Sequence, residues 1–271
     1  MMPKILRGYI VSLFSKRKKL LAVGCSYTDN CWTKPQPYML SKVELNEESK
    51  VGWKHGFSVW PEILAEKLDM ECYNFGASGQ GNSYILEKTY DQINKTNWDL
   101  VVLMWSEFQR LDFENRHGHP ENAWKSIHHF RDNSLVNNLS HESTISLLKI
   151  ANVYAMTQRS VRFFHLAQTL LKDIPYIMVQ GVMPMYGTKE IDKECANSII
   201  ASPFLNEIDD TKFMGFPTLK NIGGWCMDDM LDKKDPDRIS MRISAEDTHP
   251  NDKGHEYMAE LIYNKYREIY L

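Results

Sequence analysis

The chain has 271 residues, 43% hydrophobic and 25% charged, the balance of a globular protein of one domain or of a domain with an insertion. A formal charge of −3 gives no electrostatic basis for binding nucleic acid or an anionic membrane. No apolar run approaches the roughly 18 residues of a membrane span, and five cysteines without a C-x-x-C pair point to reduced thiols rather than a disulfide framework.

At the start of the chain Ile5, Leu6, Tyr9, Ile10, Leu13 and Phe14 recur at helical spacing, and Arg17, Lys18 and Lys19 follow. A secretory signal has the opposite polarity and a small-residue cleavage site. Residues 1–18 are therefore expected to be a helical extension docked on the domain, with a surface-anchoring or partner-binding helix as the sharper alternative. No signal peptide is expected, and the compartment expected is cytoplasmic.

Four apolar runs then have strand length: residues 20–24, 72–75, 100–104 and 176–180. None alternates clearly, so each reads as buried on both faces, as in a parallel sheet. Cys25 and Cys72 belong to these runs as small core residues. Helical patterns lie between them at 61–68, opened by a proline in its first turn, at 82–94 after a glycine-rich turn, at 144–171, and at 252–270. Residues 107–143 and 183–245 fit the alternation badly and read as insertions or loops, the second holding one short element at 222–227. The whole, residues 1–271, is expected to be one domain with a doubly wound, mainly parallel sheet. Reactive groups belong beyond the carboxyl ends of its strands, at a topological switch point.

The chemistry-bearing motifs fall at such ends. Asp247-Thr248-His249-Pro250-Asn251 precedes the last helix. A carboxylate beside an imidazole fixes its tautomer and steadies the imidazolium formed in base catalysis. Ser26 ends the first strand, where it serves either as an N-cap or as a nucleophile whose proton a base must take. Gly76-Ala77-Ser78-Gly79-Gln80-Gly81 follows the second strand; such a turn offers amides to an oxyanion or is a plain tight turn, and it matches neither the Walker nor the Rossmann spacing. Glu107 and Arg110 read as an ion pair, either solvated or at a pocket mouth. His117, His119, His128, His129 and His141 share no ligand spacing with a carboxylate or cysteine, so no metal is expected. His255 reads as a packing residue on the final helix.

Gly24-Cys25-Ser26 after a first strand, Asn74-Phe75-Gly76-Ala77-Ser78-Gly79 after a second, and Asp247-Thr248-His249-Pro250-Asn251 with Gly254-His255 before a final helix resemble, in that order, the SGNH (GDSL-like) hydrolases. The Trp60-Pro61 helix is similar to a phage-borne and bacterial branch of them, for which host cytoplasm or virion would be the location. The resemblance implies a flavodoxin-like three-layer α/β/α fold and ester chemistry without a cofactor. It implies Ser26 as nucleophile, His249 as base, Asp247 as its acid with Glu246 as the alternative, and the Gly79 amide as an oxyanion donor. Cys25 stands where the family has an aspartate, and Met104-Trp105-Ser106-Glu107 replaces its Gly-x-Asn-Asp block. Ser106 thus falls at the position of an oxyanion-hole asparagine, and Asn82 is a further candidate for oxyanion or substrate binding. The implied substrate is a small ester or an O-acetylated carbohydrate. Two alternatives share the frame: an O-acyltransferase with the same triad, and a catalytically silent binding or virion-associated protein.

Overall fold

The computed structural model of the chain describes residues 17–32, 43–45, 53–114, 124–128, 152–245 and 247–271. In chain order the elements are β1 (Lys18–Gly24), β2 (Cys31–Trp32), β3 (Val43–Leu45), β4 (Trp53–His55), α1 (Trp60–Lys67), β5 (Met70–Gly76), α2 (Asn82–Ile93), β6 (Leu100–Trp105), β7 (Arg110–Glu114) and β8 (Trp124–His128). There follow α3 (Val153–Leu170), β9 (Tyr176–Gln180), α4 (Lys189–Ile200), β10 (Phe213–Met214), α5 (Met227–Lys234) and α6 (Asp252–Tyr270), with single 3₁₀ turns between them.

The four apolar runs all become strands of one sheet, ordered β10-β9-β6-β1-β5, in which every neighbouring pair is parallel. Their lack of alternation has the expected cause: both faces are covered. Leu21 and Val23 of β1 and Val101 and Leu103 of β6 pack on one side, with Ile85 of α2, Phe164 of α3 and Ile199 of α4. Leu20 and Ala22, with Val102 and Met104, pack on the other, against Trp60 and Leu64 of α1, Leu231 of α5 and Met258 and Ile262 of α6. These are three layers, α/β/α. Phe164 centres the first cluster, its ring 4.9 Å from that of Trp105 and 5.0 Å, edge-on, from that of Phe213.

The chain leaves β1 to reach β5 on one side and then returns to place β6 on the other. The carboxyl end of β1 is therefore the switch point of the sheet. Local sequence sets the helix starts beside it. Val59 donates its N–H to Glu62 at the head of α1, Asn152 accepts from Ala155 (2.7 Å) at the head of α3, and Asn251 accepts from Gly254 (3.1 Å) at the head of α6.

The two irregular stretches hold more order than their composition suggests. Within residues 107–143, β7 and β8 form an antiparallel pair. Within 183–245 lie α4, β10 and α5, and the short element expected at 222–227 is instead a turn leading into α5. The helix expected from residue 144 is described from Val153. The N-terminal extension at residues 1–16, Glu246, His117, His119, His129 and His141 lie outside the described residues, as does the side chain of His128.

Candidate active site

Ser26 opens the turn after β1. The Cys25 carbonyl accepts the amides of Thr28 (2.9 Å) and Asp29 (3.0 Å), which coils the chain through a single helical turn. Cys25, where the resemblance expects an acid, is fully buried among apolar neighbours.

His249 sits on one arm of a tight hairpin that leads into α6. Arg242 and Pro250 bridge its base, Ile243 donates to the His249 carbonyl (2.9 Å), and Ser244 donates to the Asp247 carbonyl (3.1 Å) near the tip. The Asn251 side chain straps the arms together by donating to the carbonyls of Ser240 (3.1 Å) and Arg242 (2.9 Å).

Residues 223 apart in sequence meet here: His249 Nε2 is 2.9 Å from Ser26 Oγ. The other ring nitrogen, Nδ1, is 2.5 Å from Asp247 Oδ1, which also accepts the His249 amide (3.0 Å). The Asp247 side chain is only 3% exposed, whereas that of His249 is 31% exposed. An ionised carboxylate only accepts, so Nδ1 carries a proton and donates it; in the neutral ring Nε2 then keeps its lone pair and accepts the serine O–H. Such a line of groups can take the hydroxyl proton while the oxygen attacks a carbon.

A buried network fixes both ends of this line. Tyr27, next to Ser26, stands edge-on to the His249 ring at 5.6 Å and donates its hydroxyl to Asp228 Oδ1 (2.5 Å). Burial, reinforced by Asp228, pushes the Tyr27 hydroxyl well above the usual phenol range, so it remains a donor. Arg242, 1% exposed, donates through Nη1 to Tyr27 Oη (2.9 Å), Asp228 Oδ1 (2.9 Å) and the Thr248 carbonyl (2.8 Å), and through Nη2 to Asp232 (2.8 Å). Burial opposes its charge, but the two aspartates beside it more than restore it.

Of the residues expected at the site, Ser26, His249 and Asp247 converge. Gly79 occupies a turn beyond β5, joined to β1 where Ala77 donates to the Gly24 carbonyl (3.0 Å). Its φ is +82°, and a Cβ there would meet nothing within 4 Å. Among the described residues neither the Ser26 nor the Gly79 amide donates to another group.

Asn82 and Ser106 are both buried. Asn82 is 1% exposed; its amide oxygen accepts the Ser106 N–H (2.8 Å) and its nitrogen donates to Ser160 (3.2 Å), so it braces β6 from within. Ser106 is fully buried, and its hydroxyl has no partner among the described residues. Glu107 and Arg110 form a buried ion pair at 2.8 Å, with side chains 1% and 5% exposed, not a solvated one. His255 packs as expected, accepting the Trp60 amide (3.3 Å). Sequence reasoning missed Arg242, Asp228 and Asp112, which act across long stretches of chain and follow no local pattern.

Among the described residues no group of three or more His, Cys, Asp or Glu could hold a metal ion, and no helix is long and apolar enough to cross a membrane.

The fold and site define a doubly wound α/β protein with a serine–histidine–aspartate line at its switch point. No protein-family model and no curated protein matches the sequence. Among solved structures the chain is similar to the acetylxylan esterase Axe2 from Geobacillus stearothermophilus at 12% identity, with a TM-score of 0.48, over 92% of this chain and 93% of that one. A catalytic mutant of Axe2 gives a TM-score of 0.49 at the same identity and coverage. A putative lipolytic protein of the G-D-S-L family from Desulfitobacterium hafniense gives 0.45, at 12% identity over 92% of this chain and 99% of that one.

Proposed function

We propose that the protein is a serine-dependent esterase of the SGNH type, with Ser26 as nucleophile, His249 as general base and Asp247 as its orienting acid. One observation carries this reading: the unbroken line Ser26 Oγ, His249 Nε2, His249 Nδ1, Asp247 Oδ1, with gaps of 2.9 and 2.5 Å.

Ser26 Oγ attacks the ester carbonyl carbon as its proton passes to His249 Nε2. The carbonyl π pair moves onto oxygen, and the amides of Ser26 and Gly79 receive the oxyanion. When the tetrahedral centre collapses, the alkoxide leaves with the proton held by His249, and an acyl-serine remains. Water repeats the sequence and frees the acid. Asp247 keeps the ring in the productive tautomer and balances the imidazolium charge. A small ester or an O-acetylated carbohydrate is the proposed substrate, and a relative that acts on acetylated xylan is consistent with it.

The test compares hydrolysis of a chromogenic acetyl ester by the protein and by Ser26→Ala, together with labelling by a fluorophosphonate. Turnover and label that both vanish in the variant support the proposal. Equal rates for the two proteins, with label found elsewhere, would remove it.

A further inference from the structure

The Gly79 turn is held in an unusual way. Gln80 donates to the Ala77 carbonyl (3.2 Å), which closes a four-residue turn with Ser78 and Gly79 at its centre. Gly79 has φ +82°, while Ser78 is not among the residues with positive φ. That combination is a type II turn, which needs glycine or asparagine at its third position. A type I turn closes the same four residues with the central peptide rotated by about half a revolution. The central peptide here carries the Gly79 N–H, so the choice of turn type decides which way that amide points.

The peptides around it are fixed from three sides. Ser78 donates both its amide (2.8 Å) and its hydroxyl (2.7 Å) to Asp29, in the same helical turn as Ser26. The Gln80 carbonyl accepts Arg110 Nη1 (2.7 Å). Asp112, two residues along β7, accepts the amides of Gly81 (2.8 Å) and Tyr84 (3.1 Å). A Cβ at Gly81 would lie 2.6 Å from Arg110 Cβ, so strand and turn touch directly. Arg110 is itself immobilised. Nη2 pairs with Glu107 (2.8 Å), Glu107 accepts from Gln109 (3.0 Å), and the Arg110 carbonyl accepts Arg159 Nη2 (2.5 Å). Among the described residues, only the peptide bearing the Gly79 amide is left without a bond, between neighbours that are all held.

We infer that Arg110, seated on Glu107, is a positioning residue: by holding the Gln80 carbonyl it keeps the turn in its type II form and the Gly79 amide turned toward the oxyanion. The inference rests on the esterase reading above. It also gives a role to the segment that departs from the family block. Where an asparagine side chain would donate directly, residues 107–112 instead brace the backbone donor.

The experiment uses the full chain and the acetyl ester, with active sites counted by the end-point of fluorophosphonate labelling so that misfolded protein is discounted. Arg110→Met is expected to lower kcat per labelled site about 10²–10³-fold, the size of losing one oxyanion donor, with KM and the acid limb of the pH profile unchanged. Arg110→Lys, which still donates to the Gln80 carbonyl, is expected to recover most of the loss. Gly79→Ala is expected to match Arg110→Met, and the two together to cost no more than about threefold beyond either alone, because both act through one amide. Additive losses, or an Arg110→Met rate within about threefold of the parent, would overturn the inference. Arg110→Met leaves Glu107 buried without its cation; if it does not fold, Arg110→Met/Glu107→Leu removes both charges and carries the same expectations. A parent protein with no Ser26-dependent turnover overturns the esterase reading itself, before any variant is compared.

Discussion

Arg242→Met puts the frame around the site to a direct test. The substitution keeps most of the apolar stem but removes the guanidinium from a place where it is 1% exposed and makes four close contacts, to Tyr27, Asp228, Asp232 and the Thr248 carbonyl. Removing one member of a buried ion pair costs about 3–5 kcal/mol, because the partner's charge stays behind without compensation. Here the partners are not wholly abandoned. Asp228 keeps the Tyr27 hydroxyl at 2.5 Å, and Asp232 keeps Arg238 and is 25% exposed. The expected loss is therefore at the low end, about 3 kcal/mol. For a domain of this size that is a fall in Tm of roughly 6–12 °C. Chemical denaturation followed by tryptophan fluorescence measures the free energy, and a thermal scan measures the midpoint. Asp228→Asn, which keeps hydrogen-bonding atoms in place and leaves Arg242 on Asp232, is expected to cost clearly less. A loss below about 1 kcal/mol for Arg242→Met, the level of an exposed pair, would refute the view that this cation holds the hairpin to the turn after β1.

Two further outcomes follow from the site and the core. Asp247→Asn should leave KM little changed and lower kcat by about 10³–10⁴, because the asparagine amide favours the wrong imidazole tautomer; steady-state kinetics on the acetyl ester check this, and a loss under about tenfold would indicate another acid. Burial pushes the thiols of Cys72 and Cys195 up to about 12. At pH 8 their thiolate fraction is then about 10⁻⁴, so alkylation of the folded protein should be on the order of 10³ slower than in denaturant, read by mass spectrometry of each peptide.

Much of the fold was legible because the sheet is covered on both faces, which leaves uninterrupted apolar runs in the sequence. The helix at 252–270 was equally plain, with Asn251 at its head. Helix α4 escaped notice because Lys189, Glu190, Asp192, Lys193 and Glu194 crowd its first half and mask the stripe formed by Ile191, Cys195, Ala196 and Ile199. Strand β10 has two residues, too few for any period to register. At the site, Ser26 could be picked out because it follows the end of a strand, and Asp247 and His249 because they stand two residues apart in one motif shortly before a helix. Ser106 and Asn82 were harder to read for a physical reason. Position after a strand says where the backbone emerges, not which way a side chain turns: the Asn82 side chain is engaged by the Ser106 amide and by Ser160, and the Ser106 side chain is fully buried. The partners of Arg242 and Arg110 lie up to 215 and 49 residues away, beyond any reading of neighbouring residues.

The contact between Ser26 and His249 spans 223 residues of chain. Closing a longer loop adds only slowly to the entropic cost, about 0.6 kcal/mol for each doubling, so the span itself is no obstacle to stability. It does tie the site to both ends of the molecule: the hydroxyl keeps its imidazole only while the interior strand, the hairpin and the final helix are all in place. Ser26-dependent turnover recovered on refolding would therefore count only chains in which all three are assembled.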